Sequence, residues 1–257
     1  MDTYLHRSHH AHLHSRRVSF LRPFNWLVSG ARDLSKYPKV SLSHGLIVTG
    51  VFWIALLVTS MHVYALAAVL SGFMLIGPIM AAGLCEVSRR REKNEPISFD
   101  ESLSGLSRNQ SALLRFSGFL LGFSVLWFII SALVLMATVG DVAPPLDRTL
   151  WGDFFAFASP LQTVLYFVVG GLLATLVFMM SVVSVPAIID SDIKALDAAF
   201  ISIRVVLSNI VTMILWAALL ALLTGIGISF LIAMVVIFPL LGHATWHAYR
   251  DLVTNED

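Results

Sequence analysis

Four long stretches of this chain contain no Asp, Glu, Lys or Arg: residues 40–85, 116–140, 154–189 and 205–249. A helix that crosses a bilayer needs about 20 consecutive apolar residues. The first and last stretches, 46 and 45 residues long, have room for two crossings each, and the other two hold one each. Six spanning helices are therefore expected, over 44–60, 64–86, 116–139, 162–186, 208–224 and 228–247. Ser60-Met61-His62 is the expected turn of the first pair and Thr224-Gly225-Ile226-Gly227 that of the last, because Gly supplies turn conformations that other residues resist.

A second period lies between the apolar stretches. Phe24, Leu27, Ala31 and Leu34 recur at helical spacing behind Pro23. Phe99, Leu103 and Leu106 do so behind Ser98, with Glu101 three residues on as a capping box. Ile193, Leu196, Phe200 and Ile203 follow Ser191 and Asp192 in the same way. Each pattern predicts a short amphipathic helix whose apolar stripe lies in the headgroup boundary. Each leads into a pair of spans, the first carrying Trp53, Trp127 or Trp216 and the second Pro78, Pro186 or Pro239. The fold class expected is an all-α polytopic membrane helical bundle. It reads as three pseudo-repeats of interfacial helix plus helical hairpin, the middle one with an insertion at 140–160. Residues 1–20 are expected to form a His-rich, disordered cytoplasmic tail, 21–252 the membrane domain and 253–257 a second cytoplasmic tail.

Composition agrees with the pattern. Only 13% of the residues are charged, about half the roughly 25% of soluble domains. The net charge of +1 offers no basic field for nucleic acid. The single Cys85 excludes an internal disulfide. Residues 1–39 are polar and basic and lack the apolar core of a secretory signal. With this threading, sixteen of the 17 Lys and Arg residues fall on one side, and the exception is Arg148. The positive-inside rule then puts both termini in the cytoplasm, and a bacterial inner membrane is the expected location.

No Asp, Glu, Lys, Arg or His occupies the middle of an expected span, and such groups are the usual mark of an ion-coupled path. Mid-membrane polarity is limited to hydroxyls such as Thr49, Ser124 and Thr175, read as bonding to their own helix or a neighbour. Small residues four apart, including Gly118/Gly122, let helices approach closely; that pair packs the bundle or joins two copies. Glu86, before Arg89 and Arg90, reads first as a solvated helix-end ion pair and second as a carboxylate facing the bundle. Arg89-Arg90-Arg91 reads as a stop-transfer and anionic-lipid contact.

The sharpest constellation is the run from Gly242 to Asp251. His243 and His247 stand on one helix face, and His44 starts the first span on the same side. Three imidazoles there are a candidate metal or haem site; the competing reading is interfacial anchoring beside Trp246 and Tyr249. His6, His9, His10, His12 and His14 form a tract that can bind transition metals or remain a polar tail. Beyond metal or haem, no cofactor is indicated. No nucleophile elbow, phosphate-binding Gly loop or zinc-protease motif appears, so an enzyme is not expected.

The order Ala31-Arg32-Asp33-Leu34, Leu75-Ile76-Gly77-Pro78, Glu86-Val87-Ser88-Arg89-Arg90-Arg91-Glu92, Ser184-Val185-Pro186 and Gly242-His243-Ala244-Thr245-Trp246-His247-Ala248-Tyr249-Arg250-Asp251-Leu252 resembles a family of bacterial integral membrane proteins catalogued only as a domain of unknown function. The resemblance covers residues 22–252 and implies a six-helix inner-membrane protein with no catalytic residues to transfer. Three functional expectations follow. The first is a non-enzymatic accessory, assembly or stabilising component whose partners are the bilayer, other inner-membrane proteins or a second copy. The second is a facilitator or channel for a small solute, and the third is metal or haem binding through His44, His243 and His247.

Overall fold

The computed structural model describes residues 13–59, 77–139, 159–191 and 193–255. In chain order the elements are β1 (Leu13–Ser15), α1 (Arg22–Lys36), α2 (Pro38–Thr59), α3 (Ala82–Glu92), α4 (Phe99–Arg108) and α5 (Gln110–Val139). There follow α6 (Pro160–Ser181), α7 (Ser184–Asp190), α8 (Ala195–Ser208), α9 (Ile210–Ser229), α10 (Leu231–Leu252) and β2 (Val253–Asn255). Among the described residues five segments are long and apolar enough to cross a membrane: Pro38–Val58, Gln110–Ile130, Pro160–Asp190, Ile210–Ser229 and Ile232–Leu252. Most of the span expected at 64–86 falls on residues 60–76, outside the described residues, as do the turn at Ser60–His62 and nearly all of the 140–160 insertion.

The three amphipathic segments are helices, and most of each apolar stripe turns outward; Leu27 packs against the core, and Ile193 is buried ahead of α8. In α1, Phe24 and Val28 are exposed while Pro23, Trp26, Gly30 and Asp33 are buried. In α4, Leu103 and Leu106 are exposed over buried Ser102 and Gly105. In α8, Leu196 and Phe200 are exposed over Ala198, Ala199 and Ser202. A helix in water does the opposite, so this arrangement suits a surface that meets lipid.

Each short helix passes through a one-residue joint into a long apolar helix. The joints are Tyr37 (φ −125, ψ 55), Asn109 (φ −133, ψ 60) and Asn209 (φ −133, ψ 36). The inward faces then seat on the ends of other helices. Gly105 of α4 lies on α3, where an added Cβ would stand 2.8 Å from Glu86 Cβ and 3.2 Å from the Ala82 carbonyl oxygen. Ser202 and Ala198 of α8 lie on the start of α7: the Val183 amide donates to Ser202 Oγ at 3.4 Å, and Ser184 Oγ donates to the Ala198 carbonyl at 3.0 Å. Gly30 of α1 lies on α10, where a Cβ would stand 2.8 Å from both the Leu240 carbonyl oxygen and the Ala244 amide nitrogen. Two helices thus seat on the element just before them, and the first in the chain seats on the last. The contacts close into a ring.

The joints reinforce that ring. Asn109 donates to the Ile193 carbonyl at 2.9 Å, just ahead of α8. Asn209 donates to the Arg16 carbonyl at 3.0 Å and accepts from the Val18 amide at 2.9 Å, just ahead of α1. Leu13–Ser15 pairs antiparallel with Val253–Asn255, and the Arg16 amide donates to the Leu252 carbonyl at 2.7 Å. Residues 13–18, expected within a disordered tail, are therefore tied to the chain's other end; residues 1–12 lie outside the described residues.

Two local expectations are corrected. The last hairpin turns at Phe230, and Gly225 and Gly227 are helical. Gly227 is small because the Met234 sulfur packs where its Cβ would stand, 2.7 Å away. The helix expected over 162–186 breaks at Val182-Val183, ahead of Pro186. Pro186 then sits in the first turn of α7, where the missing N–H costs no helical bond. Pro239 lies inside the unbroken α10, and Pro78 precedes α3.

Candidate functional site

The polar groups of the chain gather where α1, α3, α4, α7 and the end of α10 meet. The Gly242–Asp251 run is the centre of one network. His243, wholly buried, stands between two serines: its Nε2 is 2.9 Å from Ser41 Oγ and its Nδ1 is 2.8 Å from Ser88 Oγ. Ser88 donates its proton to Asp33 at 2.6 Å. Ser88 Oγ then accepts from His243 Nδ1–H, and Nε2 and Ser41 Oγ share the second bond. The Asp33 carboxylate also accepts from His247 Nε2 at 2.9 Å and pairs with the Arg91 guanidinium.

The rest of the motif makes ties in turn. Trp246 donates to Glu92 at 3.0 Å, and Tyr249 donates to Asp190 at 3.1 Å. Arg250 pairs with Glu92 at 3.1 Å. Asp251 accepts from Arg22 at 2.6 and 2.7 Å and from Trp26 at 2.9 Å. Every polar side chain here except Thr245, which bonds its own helix, reaches another element. The motif is a clamp that fastens the last helix to α1, α2, α3 and α7.

Ser41, His243, Ser88 and Asp33 are residue types of acyl-transfer sites, but all four are buried to at least nine-tenths and bonded to one another. In this geometry they hold helices together. The metal reading fares no better. His44 bonds the Val40 carbonyl at 3.1 Å, and its Nε2 lies 3.3 Å from Ser102 Oγ. The three imidazoles thus have separate partners, and among the described residues no three His, Cys, Asp or Glu side chains converge on a point that could hold a metal ion.

A second network surrounds Glu86, whose side chain is wholly buried. Arg89 Nε donates to it at 2.7 Å, Arg90 Nε at 2.8 Å, and Arg108 Nε lies 3.2 Å away. The carboxylate faces the bundle, and the solvated helix-end reading is set aside. Arg89 is 1% exposed and also reaches Glu95 at 2.6 Å. Arg90 pairs with Glu101 at 2.5 Å and Arg91 with Asp33. The Arg89-Arg90-Arg91 run is therefore committed to ion pairs with Glu86, Glu95, Glu101 and Asp33. Its hydrogen bond to Glu86 raises the Arg89 pKa against the pull of burial. Arg89 in turn holds the Glu95 carboxyl below the ordinary carboxylate range. That contribution is complete above the ordinary Glu pKa, about 4.3, and is lost as pH falls through the lower folded value. Thermal midpoints in detergent between neutral and acid pH should show an acid-side loss that Glu95→Gln reduces; identical profiles would remove Glu95 from the network's energetics.

Of the remaining sequence candidates, Gly118 and Gly122 are exposed on α5, with nothing within 4 Å of a Cβ among the described residues. Ser124 and Thr175 bond their own helices, as expected. Asp33, Ser41 and Ser88 were missed as site residues, although Asp33 and Ser88 lie in segments that carry the resemblance. Their only local signal is polarity: Asp33 stands on a helix that reads as interfacial, Ser41 just before the first expected span and Ser88 just after the second.

The fold and its apolar helices define an all-α, multi-pass integral membrane protein. Residues 65–190 match the model of a family described as "Predicted integral membrane protein (DUF2189)". The match takes in the Glu86 network and ends short of the Gly242–Asp251 clamp. No curated protein and no solved structure matches the chain.

Proposed function

We propose that the chain is a non-enzymatic assembly or stabilising component of the bacterial inner membrane, with six spanning helices in three degenerate repeats and both termini cytoplasmic. The observation that carries this reading is the fate of the polar groups. The side chains with the most chemical potential, Asp33, Glu86, Ser88, Arg89 and His243, are buried and committed to one another. They build a rigid platform at one end of the bundle. The repeat reading rests on three joints of like geometry and on the ring of seats that returns α1 to α10.

The facilitator reading relied on proline-broken helices, whose freed carbonyls can line a path. Pro239 does free the Val235 carbonyl, but that oxygen lies against Gly45 of α2, inside the distance a Cβ would need. At Pro239 that carbonyl is covered by a neighbouring backbone, which favours the assembly reading. The metal reading has no convergent ligand set to support it among the described residues.

Purification of the tagged chain in mild detergent is expected to bring down one or more membrane proteins in constant ratio. Recovery of the chain alone, together with solute flux in proteoliposomes, would replace this reading with the facilitator.

A further inference from the structure

With Arg89, Arg90 and Arg91 taken up by ion pairs, a different set of bases is left free. Arg16, Arg17, Arg32, Lys36, Arg115 and Arg204 are exposed and make no ion pair among the described residues, and Lys39 and Lys194 behave likewise. The acids are distributed in the opposite way. Asp33 and Glu86 are wholly buried, and Asp190 and Asp251 are nearly so and paired. Among the described residues only Asp100 and Asp197 are carboxylates without an ion pair. Glu92, Glu95 and Glu101 are partly exposed but paired with arginines, so the unpaired charge displayed by the described residues is mostly basic.

The displayed bases lie on or beside the three short helices whose apolar stripes point outward. Arg32 and Lys36 share α1 with exposed Phe24 and Val28; Arg204 shares α8 with exposed Phe200 and Leu207; Arg115 follows exposed Leu114 at the start of α5. Exposed apolar side chains next to unpaired cations are what an interfacial helix needs to enter a headgroup layer of negative charge. An acidic protein surface would account for the charge, but not for apolar stripes repeated around three helices.

We infer that this ring is an anionic-phospholipid binding surface, selecting acidic over zwitterionic headgroups around the platform. The inference rests on the membrane class and is independent of the assembly role, because lipid selection and partner copurification are read in separate experiments.

The test uses full-length, delipidated protein offered equimolar phosphatidylglycerol and phosphatidylcholine at low salt, with retained lipid counted by native mass spectrometry. Wild type should retain phosphatidylglycerol in excess, by on the order of fivefold for each base in headgroup contact, and the excess should shrink in high salt. Replacing Arg16, Arg17, Arg32 and Lys36 by Gln should cut the preference severalfold, while replacing those arginines by Lys should preserve it. If the fourfold variant does not fold, Arg115→Gln with Arg204→Gln provides the same comparison on two other helices. Equal retention of the two lipids by wild type overturns the inference, as does a preference unchanged in a folded neutralised variant. Parity for lipid combined with salt-sensitive retention of an acidic protein would assign the ring to that protein instead.

Discussion

Replacing Glu86 by Gln is expected to destabilise the protein by roughly 3 kcal/mol, although on the helix it is a mere i,i+3 partner of Arg89. An exposed pair of that kind contributes a few tenths of a kcal/mol. Burial changes the regime: Arg89 is 1% exposed and Glu86 0%, and removing one member of a buried pair leaves an uncompensated charge, at a cost of about 3–5 kcal/mol. Glu95 remains beside Arg89 and places the estimate at the lower end. Arg108→Gln is the internal control. Its side chain is 38% exposed, so its loss should cost no more than about 1 kcal/mol. Heating in detergent followed by size-exclusion chromatography ranks the two variants. An Arg108 variant that melts as early as the Glu86 variant would falsify the buried-pair account.

The second large effect is expected at Gly45. Pro239 has no N–H, so the Val235 carbonyl lacks its helical donor, and α2 approaches so closely that a Cβ at Gly45 would overlap that oxygen, with the Val235 carbonyl carbon at 2.9 Å and Pro239 Cδ at 3.2 Å. The obstruction is backbone and ring, which cannot rotate aside. Gly45→Ala should therefore separate α2 from α10 and cost about 3 kcal/mol, at the upper end of overpacking. In a helix without such a neighbour the same change stabilises by up to about 1 kcal/mol. Gly50, on the same helix, has nothing within 4 Å of its Cβ position among the described residues. Gly50→Ala should leave the melting temperature unchanged or raise it. If both alanine variants behave alike, the close approach at Gly45 is not what it is taken to be.

The sequence exposed whatever depends on local periodicity. Absence of charge over 40–85 or 205–249 requires no partner to interpret, and the stripes of Phe24–Leu34, Phe99–Leu106 and Ile193–Ile203 announce helices from spacing alone. Their outward orientation also followed, because an apolar stripe beside a membrane span has lipid to face. The site was less legible. Glu86 with Arg89 and Arg90 looks the same in sequence whether solvated or buried; what decides is Gly105 pressing on the Glu86 side chain and Arg108 arriving from 22 residues away. His243 and His247 were correctly placed on one end of the last helix, but imidazole chemistry alone does not separate a ligand from a hydrogen-bonded strut. That distinction lay in Ser41, Ser88 and Asp33, each on a different helix. The β1–β2 pairing had no signal, since Leu-His-Ser and Val-Thr-Asn carry no strand pattern and pair only because the ring brings the ends together. The turn at Phe230 was missed because Gly225 and Gly227 serve packing.

The seating of α1 on α10 also sets a timetable. During synthesis α4 and α8 each emerge after the element they rest on, and can settle as soon as they are made. The first short helix cannot: its seat around Leu240 and Ala244 belongs to the final span. The Asp33 carboxylate waits with it, since its partner His247 lies 214 residues further along the chain. Until α10 is made, the inward face of α1 has no seat, so its docking is a late step that joins two helices far apart in the chain.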